Sequence, residues 1–195
     1  MTDQNVALMA HLLRRAGFGA SRAEIEAKAA QGYDATVEEL LNPESQPALE
    51  EDLMYRCHPA YNHSAAIETN VQQWLYRMIN SPRYYPDTAA EHRNPAGFWA
   101  YRMANTRRPL EEKMALFWHM IFCAGHSKID SGEEMGRMIA MFREHGMGNF
   151  RDLLMRLSTS PAMMYYLDNT ESHKVAINEN YGRELLELFS LGVGK

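Results

Sequence analysis

The chain has 195 residues, enough for one domain with a substantial core. Apolar residues make up 46% and charged residues 23% of it, the balance of a globular protein and not of a disordered one. The net charge of -5 and pI near 5.9, with Lys and Arg adjacent only at Arg14-Arg15 and Arg107-Arg108, argue against a nucleic-acid binder, which needs a clustered basic surface.

Residues 4 to 16 place Val6, Leu8, Met9, Leu12 and Leu13 at helical spacing, with Gly17 as a left-handed stop. Ser21 and Glu24 form a capping box that opens a short helix ending at Gly32. Asp34 caps another through Val37, Leu40 and Leu41, which stops before Pro43. Residues 43 to 64 hold Pro43, Pro47 and Pro59 and read as an irregular connection. Ile67, Val71, Trp74, Leu75, Met78 and Ile79 mark an amphipathic helix, followed by a turn-rich surface loop over 82–96 with Tyr84, Tyr85, Pro86, His92 and Pro95.

Phe98 to Ala104 form a helix that breaks at Arg107-Arg108, and Pro109 then fits the first position of the next, with Glu111 and Glu112 near its positive end. From Met114 to Ala124 that helix is apolar on every side apart from His119. Such a segment has no face to give to water, and it is far shorter than the about twenty residues of a membrane span. It is therefore expected to be the enclosed central helix of the fold. Ser131 with Glu134 caps a helix through Met135, Met138, Ile139 and Phe142 to Gly146. Asn149 caps one through Leu153, Leu154 and Leu157, and Ser160-Pro161 starts a short one to Leu167. After a polar stretch from Asp168 to Ile177, Asn178 opens the last helix, carrying Tyr181, Leu185, Leu186, Leu188 and Phe189 before Gly192.

No segment alternates with period two, so no sheet is expected, and no internal repeat emerges. Cys57 and Cys123 make neither a disulfide framework nor a metal motif; Cys123 reads as a small core residue, and the 14 methionines as adaptable core packing. The amino terminus carries Asp3 and no uninterrupted apolar run before His11, so a cytoplasmic location is expected, or export if a leader lies upstream.

Three stretches together resemble the bacterial family known as the domain of unknown function 1800 family. They are His11-Leu12-Leu13-Arg14-Arg15-Ala16-Gly17-Phe18-Gly19, Pro109 to His119, and Asn149 to Gly194. The last is the most specific, through Pro161-Ala162-Met163-Met164, Tyr166-Leu167-Asp168-Asn169, Asn178-Glu179-Asn180-Tyr181 and Arg183-Glu184-Leu185-Leu186-Glu187-Leu188-Phe189. The resemblance implies a largely helical bacterial protein, with no reaction to carry over; members are often exported and often encoded beside a hydrolase-like protein. It also implies an amino-terminal portion of a longer architecture, with apolar surface near Leu188 to Val193 exposed or covered by a partner.

His119 is the first candidate for chemistry, because a polar group among apolar neighbours needs a hydrogen-bond partner; it is either a neutral, tied-down core histidine or a base or ligand. Glu112, His119 and His126 recur every seven residues, but seven residues climb about 10.5 Å, whereas ligands sit about 2 Å from one ion. A metal at His119 would need carboxylates from another helix. Glu184 and Glu187, three apart, have the spacing of carboxylate-bridged sites in helical bundles but lack the accompanying histidine. Against them stands an ion-pair ladder of Glu179, Arg183 and Glu187. Asp168 and Asn169 either brace the polar turn or adjoin an active site. The Gly17-Phe18-Gly19 loop lacks the strand and lysine of a phosphate-binding loop, and no Gly-x-Ser-x-Gly elbow is present.

The resulting expectation is a single all-α domain over residues 1–195, about nine helices packed around the Pro109–Ala124 helix with the Asn178 helix as a close neighbour. Two functions follow. The first is a binding or accessory module whose Tyr84 to Pro95 region or carboxyl end meets a partner protein. The alternative is a metal-assisted enzyme using His119 with Asp168, Glu179, Arg183 or Glu184 in one polar pocket; no particular cofactor is indicated.

Overall fold

A computed structural model describes residues 3–49, 95–129 and 131–192. The expected helix over 67–79 and nearly all of the loop over 82–96 lie outside the described residues. In chain order the helices are α1 (Asp3–Arg15), α2 (Arg22–Gln31), α3 (Tyr33–Leu41), α4 (Pro95–Asn105), α5 (Pro109–Ile121), α6 (His126–Ile129), α7 (Gly132–His145), α8 (Phe150–Ser158), α9 (Pro161–Tyr166) and α10 (Asn180–Leu186). The last runs on into a π-helical turn, Glu187–Leu191. No strand occurs among the described residues, only an isolated bridge between His173 and Ala176. The fold is all-α, and no described helix is long and apolar enough to cross a membrane.

The expected punctuation is largely present. Ser21 and Glu24 form the full capping box, the Ser21 amide donating to Glu24 Oε2 at 2.7 Å and the Glu24 amide to Ser21 Oγ at 3.3 Å. Asn149 Oδ1 accepts from the amides of Arg151 and Asp152 at the start of α8. At α7 only half of the box forms, Ser131 Oγ accepting from the Glu134 amide. Gly32, at φ 107, ends α2 and also serves as the N-cap of α3, so Asp34 lies inside the first turn of α3 and is not its cap. Gly17 does not adopt a positive φ either. Its constraint is close packing, since a Cβ there would stand 3.0 Å from Pro109 Cβ and 3.1 Å from the Leu13 carbonyl.

The helices form two groups that meet at α5. α1, α2 and α3 pack on one another around Met9 and Thr36, both 1% exposed, and α3 touches α5. The Thr36 hydroxyl is satisfied locally, donating to the Gly32 carbonyl at 2.8 Å. The larger group holds the main core, with α7 lying along α5 as the most extensive helix pair. Phe122 and Phe142, both 0% exposed, stack at 6.2 Å, and Phe189 meets Phe122 edge-on at 5.3 Å. Met138, Leu153, Leu157 and Met163 complete this centre, each contributing about 1.5–3 kcal/mol on burial. The Phe189 contact makes the carboxyl-terminal segment the neighbour of α5 that its sequence implied.

α5 is central but enclosed on one side only. Ala115 and Phe122 are fully buried and Leu116, Trp118 and Ile121 partly so, whereas Phe117 is 47% and Met120 74% exposed. The expectation that the helix is apolar all round and shut off everywhere is therefore corrected. It gives one stripe to α7, and residues 117 and 120 fall on the opposite side of its turn. It also ends at Ile121, which leaves Cys123 exposed and not in the core.

The junction of α5 and α7 is tightest at Gly146, whose carbonyl accepts the Trp118 indole N–H at 2.7 Å. A Cβ at this position would stand 2.8 Å from Trp118 Cδ1 and would collide with the Phe142 carbonyl. Replacing Gly146 with Ala is expected to destabilise the protein by about 1–3 kcal/mol through overpacking, read as a lower urea midpoint with an unchanged slope.

Candidate functional site

The most deeply buried charge sits on α5. Glu112 is 0% exposed, and it is reached by groups from two neighbouring helices. Trp99 and Arg102, three residues apart on α4 and so on one face, donate to it: the Trp99 indole N–H to Oε2 at 2.9 Å and the Arg102 Nε to Oε1 at 2.8 Å. Arg143, from the last turn of α7, donates its Nε to Oε1 at 2.5 Å. A carboxylate in so apolar a setting is retained only because three donors replace its hydration.

Sequence reading noted Glu112 as a helix-start residue and as part of a seven-residue recurrence, and did not anticipate the hub. The signal was nonetheless present. Glu112 lies three residues before Ala115 and ten before Phe122, on the buried stripe of α5, and Arg143 lies four after Ile139, beside the buried stripe of α7. Glu112→Ala is expected to cost about 3–5 kcal/mol, in a chemical-denaturation measurement, by taking the carboxylate away from the half-buried Arg143 guanidinium and from the buried Trp99 and Arg102 donors. A Glu112→Leu, Arg143→Met double variant should recover part of that loss.

His119 is half-buried one helical turn beyond Ala115. Its ring sits 5.3 Å from that of Trp99 and 6.4 Å from that of Phe142. Burial in this aromatic setting pushes its pKa below the ordinary 6.5. Among the described residues no hydrogen bond or ion pair joins it to Asp168, Glu179, Arg183 or Glu184. The sign of its pH effect follows from the depressed pKa. As pH falls below about 6.5 the unfolded chain takes up the proton before the folded one, so the stability His119 supplies is whole above that pH and declines beneath it. Urea titrations of the wild type and of His119→Gln should show a steeper acid-side loss in the wild type, beginning near pH 6.5.

The other candidates gather at the junction between α9 and α10, where they hold the chain's course. Asp168 stands at φ 57, the left-handed conformation that Asp tolerates better than most residues. Its carboxylate pairs with Lys128 at 2.7 Å and its carbonyl accepts from the Asn178 side-chain amide at 2.9 Å. Asn180 donates its side-chain amide to the Leu167 carbonyl at 3.2 Å, and its backbone N–H to Asn178 Oδ1 at 2.9 Å. α10 thus begins at Asn180, two residues after the Asn that organises its start. Arg183 bonds Asn180 Oδ1 and lies 3.3 Å from Glu184, so the spacing of Glu179, Arg183 and Glu187 does not become a ladder. Glu179 is exposed and Glu187 half-buried. Among the described residues no three His, Cys, Asp or Glu side chains converge as a metal site.

A cleft of about 530 Å³ opens where the first three helices meet the ends of α4 and α5. Phe18, Lys28, Glu39, Met103, Arg107 and Pro109 are among the residues that line it.

Residues 11–195 match the family described as Protein of unknown function (DUF1800). The chain belongs to that family. It supplies no reaction for this DUF1800 protein, and comparison with the curated proteins and with solved structures gives no match.

Proposed function

We propose that this DUF1800 protein is a helical binding module that works with a second protein, docking through its carboxyl-terminal apolar end. The observation that carries this reading is the run of large aliphatic side chains left in water there. Val175 is 88%, Ile177 78%, Leu186 56%, Leu188 61% and Leu191 59% exposed. Leu186 and Leu191 are five residues apart, about one turn at the π-helical pitch of this segment. Beneath them the segment is firmly seated: Phe189 is buried against Phe122, and the Tyr181 hydroxyl lies 2.5 Å from Ser158 Oγ on α8. A rigid base presenting apolar side chains outward suits association, because little ordering entropy remains to be lost on docking. The polar residues of the same region support the module reading as well, since Asp168, Asn178 and Asn180 are spent on bracing the turn.

The partner we favour is the hydrolase-like protein encoded beside members of the family. Co-expression of the two with a tag on this chain should yield a stable complex on size exclusion. Leu188→Asp and Leu191→Asp, at exposed positions that leave the fold intact, should each weaken it roughly tenfold or more. A complex that forms equally well with both substitutions, or no complex at all, would remove the proposal.

A further inference from the structure

The cleft beside the first three helices has the size of a small-molecule site, which commonly spans about 300–1,000 Å³. Its walls combine apolar surface from Leu40, Met103 and Pro109 with five ionised groups whose commitments differ. Lys28 and Glu39 are spent on each other, at 2.6 Å, and Glu39 also accepts from Gln31 at 3.0 Å. These bonds hold the Glu39 carboxyl below the usual carboxylate range. Glu24, also in the wall, is spent on Ser21 through the capping box. Neither carboxylate therefore offers itself to a neighbouring cation.

The cationic side is different. Arg108 donates its Nε to the Gln46 carbonyl at 2.8 Å, and its only ion pair among the described residues is a loose one, 3.8 Å from Glu111. Burial raises the pKa of that glutamate, which makes it a poorer neutraliser. Arg107 is exposed and has no hydrogen bond or ion pair among the described residues. Among the described residues the cleft thus presents one uncommitted guanidinium and a second that is only partly balanced, next to apolar walls. A guanidinium placed so is a ready fork for an oxyanion.

We propose that this cleft binds a small organic anion, an oxyanion headgroup on an apolar tail, with Arg107 contacting the headgroup and Phe18, Leu40, Met103 and Pro109 packing on the tail. It is separate from the carboxyl-terminal docking surface and does not rest on it.

Calorimetric titration of the full chain with octanoate, octyl phosphate and octan-1-ol tests this. At least one of the two acids should bind saturably at one site per chain, the tighter naming the headgroup, and the alcohol at least tenfold more weakly. Arg107→Gln should lower the affinity of that acid about tenfold, the loss expected for one charge-assisted hydrogen bond. Ala27→Trp, a substitution at an exposed position in the cleft wall, should abolish binding while leaving the unfolding midpoint unchanged. The proposal is overturned if neither acid saturates, if the alcohol binds as well as the acid, or if either variant binds with wild-type affinity.

Discussion

One carboxylate fixes how the central helices can sit. Glu112 on α5 takes its three donors from α4 and α7, so any rotation or slide of one of these helices would break a hydrogen bond to this buried charge. Apolar packing between α5 and α7 is tolerant by comparison, because methionines such as Met135 and Met138 adapt to small displacements. The ionic hub supplies the register that such packing lacks. It sits beside the half-buried His119 and the core aromatics, so the most polar and the most apolar parts of the interior share one helix face.

Most of the architecture was legible because it is written locally. The Ser21 box, the Asn149 cap, Pro109 and Pro161 at first helical positions, and the spacing of Met135, Met138, Ile139 and Phe142 are short-range signals that tertiary structure left in place. Illegible parts depended on distant partners. Whether Phe117 faces a neighbour or solvent is decided by which helices lie beside α5, and composition alone suggested the wrong answer for that side. Gly17 was read as a conformational stop, yet its role is to let Pro109, more than ninety residues later, approach its backbone. Glu112 shows the same limit from the other direction: its position on the buried stripe could be read, its partners could not.

The carboxyl-terminal motifs show how residue types associated with chemistry can be absorbed by geometry. Two asparagines and an aspartate clustered in sequence suggest a site. Here a left-handed residue at the end of α9 turns the chain, and Asn178 and Asn180 satisfy the backbone groups exposed by that turn. The turn aims α10 so that Phe189 reaches Phe122. The link from motif to function is therefore positional, since these polar side chains decide where the apolar end is presented.

The π-helical turn from Glu187 to Leu191 holds one more residue than an α-helical turn would, and the Ser190 hydroxyl ties back to the Leu185 carbonyl at 2.6 Å across it. Excising that surplus residue would restore α pitch and swing everything beyond it by about 100° around the axis. Phe189 and the outward leucines are thus phased by a single local widening, a dial that evolution can advance or retract by one notch without touching the interior.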